Sequence, residues 1–306
     1  MIGNCEIDET TNKLYVKNHH PKYSFCMDIR DFLIKEDLPD ELFRLDVLDG
    51  SPPCTSFSMA GDRENAWGKE KTFAEGKVKQ RLDDLFFPFI GIAKRLRPKV
   101  VVAENVEGLV AGKAKGYVRE IIREFDAAGY SVQLFKLNAA TMGVPQQRIR
   151  VFFIGKRKDL GLPELKLSFN ERPILFGEYR SIEGKEPNKH EKELLSKRKI
   201  GEDDLGEINK RLRNKNVGFT SPIVYDEKIC KTVISAGQMY RGADGKMFSD
   251  LDIIHTQSFP EDFNFCGRPP KFYCGMSVPP LMTAAIADQI YIQYGDKLKE
   301  SGEVIV

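Results

Sequence analysis

The amino-acid sequence predicts an α/β fold built on a mainly parallel sheet. Strand-like and helix-like segments alternate through its first two-thirds, and the apolar strand "KVVVAEN" lies between two amphipathic helical stretches. At 306 residues there is room for one large core and a smaller second domain, since domains commonly run to about 100–200 residues.

The elements follow in order. "MIGNCEI" reads as a strand, "DETTNKLYVKNHH" as a short polar helix, "KYSFCMDI" as a second strand and "FRLDVLDG" as a third. In "RLDDLFFPFIGIAKRLRP" the residues Leu82, Leu85, Phe86, Phe89, Ile92, Ala93 and Leu96 follow helical spacing, and Pro98 ends the helix before the buried strand at Lys99. "GYVREIIREFDAAG" repeats the pattern with Gly129 as its stop. Two strands, "YSVQLFKLNA" and "RIRVFFIGKR", are joined by "ATMGVPQQ", a link short enough for an antiparallel hairpin. From about Lys156 to Gly245 the periodicity degrades and polar residues dominate, which predicts an inserted domain over 157–245 between a main domain at 1–156 and its return at 246–306. The closing stretch "SVPPLMTAAIADQIYIQYG" reads as a helix with Met282, Ala285, Ile286 and Ile290 on one face.

Composition narrows the function classes. Hydrophobic residues make up 41% and charged residues 30%, the balance of a folded globular chain. With 47 basic and 45 acidic residues the net charge of +2 says little about partners, so local charge must. No apolar run approaches the roughly 18 residues of a membrane span, and "MIGNCEIDETTN" lacks the regions of a secretory signal, so a cytoplasmic protein is expected. The six cysteines form no C-x-x-C pair, and neither a metal site nor a disulfide framework is expected.

In an open α/β sheet, reactive groups gather beyond the carboxyl ends of the strands. Cys54 follows the strand that ends near Leu48, and Glu104 ends the strand that begins at Lys99. If these strands are neighbours, a nucleophile and a general acid overhang one crevice. Prolines 52 and 53 restrict the backbone before the thiol, and burial at the end of "VVVAEN" keeps Glu104 protonated, with Asn105 free to bond the neighbouring loop.

"SPPCTSF", "ENVEGL" and "PQQRIRVFFIG", in this order, resemble the Pro-Cys, Glu-Asn-Val and Gln-x-Arg-x-Arg motifs of cytosine carbon-5 DNA methyltransferases. "TQSFPEDF" and "GMSVPP" resemble the last two motifs of that family, with Met276 where an asparagine is usual. The resemblance implies the Rossmann-like fold of methyltransferases that use S-adenosylmethionine: a mixed sheet with helices on both faces and a small target-recognition domain. It implies double-stranded DNA as partner and Cys54 as the nucleophile that adds to carbon 6 of a flipped cytosine. Glu104 then serves ring nitrogen 3, and Arg148 and Arg150 orient the base and the thiol.

Carried over residue by residue, the cofactor positions are Glu6, Ile7, Asp28, Ile29, Pro53, Leu85, Ser277 and Val278. On the DNA side the resemblance points to Ser58 and Gln146, and "NKRLRNKN" offers Lys210, Arg211 and Arg213 as a phosphate-contacting patch. The Phe-x-Gly-x-Gly loop that follows the family's first strand has no counterpart, so the expectation is a sheet missing that strand. A truncated start, or a second polypeptide that supplies the first motif, accounts for it. Competing readings are an inactive DNA-binding remnant, a tRNA cytosine-5 methyltransferase and, outside the family, a cysteine hydrolase lacking a placeable histidine.

Overall fold

A computed structural model of the chain describes residues 1–53, 71–72, 79–80, 85–110, 115–213 and 220–300. Two units emerge: Met1–Leu137, Ile149–Leu167 and Gln289–Val306 form the first, and Asn138–Arg148 with Ser168–Asp288 the second.

In the first unit β1 (Gly3–Cys5) and β2 (Tyr23–Phe25) pair in parallel, with Cys5 opposite Phe25. Between them α1 (Glu9–His19) starts where the Asp8 carboxylate accepts the Thr11 N–H at 2.7 Å. Asp28 caps α2 (Ile29–Ile34) in the same way, through the Arg30 N–H at 2.8 Å. Next come β3 (Val47–Gly50) and a short antiparallel pair, β4 (Lys71–Thr72) and β5 (Lys79–Gln80). Helix α3 (Phe86–Leu96) leads through a left-handed Arg97 to Pro98 and β6 (Val100–Val106). Helix α4 (Lys115–Ala127) stops ahead of Gly129, whose φ of +94° suits glycine, and β7 (Tyr130–Asn138) follows. Strand β8 (Gln146–Gln147) belongs to the second unit, and β9 (Ile149–Arg157) returns to the first.

The main sheet runs β3-β6-β9-β7; β3 is parallel to β6, and β6 antiparallel to β9. The α/β class with a mixed sheet is therefore observed, and β7 and β9 are neighbours as their short link requires. Among the described residues no ladder joins β1 to β3, the place where the resemblance expects the family's first strand.

Helices α3 and α4 bury Phe86, Phe89, Ile121 and Phe125 against Val101, Ala103, Val151 and Phe153 of the sheet. Phe86 sits at the centre, edge-to-face with Phe89, Phe125 and Phe153. Each such ring contributes roughly 1.5–3 kcal/mol through burial.

The second unit contains α5 (Lys189–Ser196), α6 (Leu205–Arg213), β10 (Ile223–Val224), β11 (Cys230–Lys231) and β12 (Tyr240–Arg241). Helices α7 (Asp250–Thr256), α8 (Pro270–Met276) and the first turns of α9 (Pro280–Glu300) complete it. Two-residue strands and short helices leave little periodicity to read, which is why this stretch looked irregular in sequence. Leu194, Leu205, Ile208, Ile223 and Tyr240 form a small core. Among the described residues no helix is long and apolar enough to cross a membrane.

The glycine of "DGSPPC" has a packing cause: a Cβ on Gly50 would lie 2.4 Å from the Phe89 ring of α3. Gly50→Ala is expected to cost about 1–3 kcal/mol through overpacking, seen as a lower urea midpoint with an unchanged slope.

Candidate active site

Parallel pairing of β3 with β6 sets Gly50 opposite Ala103, so the next residues on each strand emerge side by side. Asn105 is buried; its Nδ2 donates to the Pro52 carbonyl at 3.0 Å, and its Oδ1 accepts the Val106 N–H at 2.9 Å. The proline segment is thus pinned two residues before Cys54. Cys54 and Ser58 themselves lie outside the described residues, as does most of the loop behind them.

Glu104 precedes Asn105, and its Oε1 lies 2.9 Å from Nε of Arg150. The register explains the contact: Glu104 faces Phe152 and Arg150 faces Val106, so the two are diagonal neighbours on one sheet face. Both side chains are largely buried, at 13% and 16% exposure. Burial pushes the Arg150 guanidinium below its ordinary value, and Glu104 opposes that shift. The sequence reading of Glu104 as an acid kept neutral by burial alone leaves out this guanidinium. Arg150 Nη1 also donates to the Ile149 carbonyl at 2.8 Å, which fixes the fork.

At the ends of β1 and β2 the cofactor-type residues gather. Glu6 N–H donates to the Phe25 carbonyl at 3.0 Å, and Cys5 Sγ lies 3.6 Å from the Met27 carbonyl. Glu6 Oε1 accepts the Asp8 N–H at 2.9 Å; burial raises its carboxyl above the ordinary range, and the backbone N–H groups of Asp8 and Ile7 only partly offset that. Asp28 goes the other way, lowered by its bonds to the Arg30 guanidinium at 3.0 and 2.8 Å. Ile29 packs on the core, Leu85 is buried at the start of α3, and Ile7 and Pro53 are half-buried. Burial also pushes the thiols of Cys5, Cys230 and Cys274 up to about 12, so none of the three is a nucleophile at neutral pH.

The other predicted residues belong to the second unit. Gln146 was expected at the DNA; it is fully buried, its Oε1 accepting the Val233 N–H at 3.0 Å and its Nε2 donating to the Thr256 carbonyl at 3.0 Å and to Gln257. Its amide is consumed inside the unit. Arg148 is buried as well, its guanidinium donating to the carbonyls of Val233 at 2.8 Å and Gly275 at 3.0 Å, so it ties the chain after β11 to α8. Ser277 caps α8 through Oγ to the Tyr273 carbonyl at 2.6 Å, with Val278 half-buried next to it. Lys210, Arg211 and Arg213 are exposed on the last turn of α6, but Arg211 is held by Glu202 at 2.6 and 2.8 Å.

Residues 1–292 match the model of the C-5 cytosine-specific DNA methylase family. The chain belongs to that family. Type II methyltransferase M1.HphI of Haemophilus parahaemolyticus is 31% identical over 266 residues, covering 81% of this chain and 68% of the relative. Type II methyltransferase M.NgoPII of Neisseria gonorrhoeae is 38% identical over 164 residues, 54% of this chain; that match spans 42% of the relative's length. Among solved structures, a prophage-encoded DNA modification methyltransferase from E. coli superposes with a TM-score of 0.65 at 18% identity, covering 96% of this chain and 93% of the other. A DNMT2 variant from Spodoptera frugiperda gives 0.62 at 16%, covering 95% and 92%. These two likenesses show the shared fold.

Within the family fold, sequence reasoning missed Gln257, Arg241 and Asp252. Arg241 and Asp252 are fully buried and form an ion pair that also holds Ser181. The only local signal was "SDLD", a capping box in which Ser249 and Asp252 bond each other's N–H at the start of α7.

The Glu6 carboxyl supplies a pH test. Its raised folded-state pKa means that its favourable contribution is present below the unfolded carboxylate value of about 4.3 and is lost as pH rises through the folded value. Glu6→Gln is therefore expected to melt higher than wild type at pH 7 and no higher at about pH 4, measured by thermal melts across that range.

Proposed function

We propose that this chain transfers a methyl group to carbon 5 of a cytosine turned out of double-stranded DNA, in a restriction-modification or phage setting. The observation that supports this most is the shared end of β3 and β6. There Asn105 holds Pro52, and the Glu104 carboxylate is locked to Arg150 one residue earlier on the same strand.

S-adenosylmethionine, when bound, supplies an electrophilic methyl group. Glu6 fits that cofactor: a desolvated carboxyl met by backbone N–H groups alone gains from the two hydroxyl donors of a ribose. Asp28 fits less fully, because Arg30 already takes both of its oxygens. Ile7, Ile29, Pro53 and Leu85 are the apolar residues of the first unit proposed for it.

Extrusion of the target base costs a few kcal/mol, and the chain's own residues then work on the exposed ring. The Cys54 thiolate adds to carbon 6 while Glu104, protonated for this step, gives its proton to nitrogen 3 and takes it back when the ring is restored, so the electron pair displaced from the 5,6 double bond makes carbon 5 nucleophilic. Arg150 keeps Glu104 aimed. Once carbon 5 carries the methyl group, its proton leaves to a base, the carbon–sulfur bond breaks, and the aromatic ring and the thiolate are restored. Arg148 and Gln146 act at a distance by holding the second unit together, and residues 157–245 are the proposed target-recognition domain.

The test uses labelled S-adenosylmethionine with bacterial genomic DNA and with total tRNA. DNA is expected to take the label, Cys54→Ser to lose it, and Glu104→Gln to slow transfer by about 10²–10⁴-fold. Duplex copied with 5-fluorocytosine should trap wild type covalently and not Cys54→Ser. Labelling of tRNA alone would overturn the DNA reading, and binding of DNA with neither label nor adduct would leave a remnant that only binds.

A further inference from the structure

The first unit carries its candidate chemistry on two sheets. Glu6 follows β1, Glu104 and Arg150 stand on the main sheet, and among the described residues no ladder joins the β1–β2 pair to the main sheet. Residues proposed for the cofactor lie on both sides of this division: Glu6, Ile7 and Ile29 with the β1–β2 pair, Pro53 and Leu85 with β3 and α3. Their spacing therefore depends on the side chains that join the two sides.

Helix α2 makes that join. On one side its Phe32 ring packs edge-on against Phe25 at 5.0 Å, and the Phe25 carbonyl accepts the Glu6 N–H. On the other, Leu33 lies so close to α3 that a Cβ on Gly91 would come within 3.0 Å of it. Ile29, the first residue of α2, packs against both the core around Phe86 and the cluster of Phe32, Ile92 and Leu96.

A helix of six residues has little stability of its own, so its contacts decide where it sits. Its last carbonyls have no partner within the helix. Arg95 of α3 supplies one: Nη1 donates to the Leu33 carbonyl and reaches that of Phe32 at 3.4 Å, and Nη2 donates to the carbonyl of Lys35, the C-cap. A cation there also complements the negative end of the helix dipole. The guanidinium is half-buried, and its planar fork spans carbonyls that a single ammonium could not. At the other end of α2, about 9 Å along the axis, stands Ile29.

We propose that Arg95 is a positioning residue of the cofactor site: by fixing the C-terminal end of α2 on α3, it holds Glu6 and Ile29 at their working distance from Leu85 and Pro53. The proposal rests on the cofactor reading above and adds to it the residue that sets the width of the site. Arg95 acts through the helix, and a shift of about 1 Å in the groups that hold a ligand is enough to be felt.

The probe is S-adenosylhomocysteine, the cofactor without its transferable methyl group, titrated into the protein by calorimetry. Arg95→Met should weaken its binding by about ten-fold or more, and Arg95→Lys, which keeps the charge and loses the fork, by about three-fold or more. Duplex affinity, read by fluorescence anisotropy, should stay within about two-fold of wild type, and so should the methylation rate at saturating S-adenosylmethionine. Lys94→Met, which removes an exposed cation one residue earlier on α3, should alter none of these. Circular dichroism identifies the variants that fold; should Arg95→Met fail to do so, Arg95→Lys decides. Wild-type affinity for S-adenosylhomocysteine in a folded Arg95 variant would overturn the positioning role and leave the cofactor site standing. A loss shared equally by duplex affinity, a loss confined to the saturated rate, or failure of both variants to fold would overturn it in favour of a general part in the fold. A wild type that takes up no S-adenosylhomocysteine would sink the cofactor reading and the positioning role with it.

Discussion

Parallel pairing of β3 with β6 obliges both strands to release their chains at one end of the sheet, and the candidate chemistry depends on what ties those chains there. Asn105 supplies the tie. Its buried amide spends a donor on Pro52 and an acceptor on the next backbone N–H, so neither is left unsatisfied. Losing such a bond costs about 1–3 kcal/mol, a large share of an ordinary domain's stability. Gly50 lets α3 press on the same strand end, and the two prolines that follow allow few backbone directions. The chain thus leaves the sheet toward Cys54 along a path set by packing below, by a hydrogen bond at the side and by ring closure in the backbone.

The second unit is held by a different kind of force. Its strands are two residues long and its apolar core is small, so buried polar joints carry much of its specification. Gln146, Gln257 and Arg148 connect β8, α7 and α8 through backbone carbonyls, and Arg241 with Asp252 fastens β12 to the start of α7. Such groups add little net stability over an apolar core, yet removing one partner is costly because the other stays buried. They therefore favour one arrangement over its near alternatives, which suits a unit built mostly of irregular chain.

The difference in forces decides what could be read in advance. Helices α3 and α4 and strands β6 and β9 were legible because their apolar period is intact and Pro98 and Gly129 mark the ends. The Asn105 bond was legible too, since it follows from two parallel strands ending together. Gln146 and Arg148 were not, because a motif names residue types and not their burial. Their partners Val233 and Gly275 lie 87 and 127 residues further along the chain. Arg211 looked like part of a basic run because its acid, Glu202, sits nine residues back across a turn, outside the helical i,i+4 spacing by which pairs are usually recognised.

Three carboxyl groups at strand ends show how neighbours, more than residue type, apportion roles. Asp28 has a guanidinium on it and a helix N-terminus beneath it, so its charge is already balanced. Glu104 also has a guanidinium, but on a largely buried sheet face where Arg150 itself is desolvated, which makes the pair a strong mutual orienting force. Glu6 has no guanidinium; burial and the charge of Asp8 raise its carboxyl, and only backbone N–H groups oppose them. A carboxylate left in that condition is stabilised most by donors that arrive from outside the chain. Neutral hydroxyls serve better than a second cation would, because they satisfy the oxygens without adding a charge that must itself be desolvated. The first unit thus holds, on two separate sheets, one acid that is finished, one that is aimed and one that is waiting, and only the last two are suited to chemistry with a bound partner.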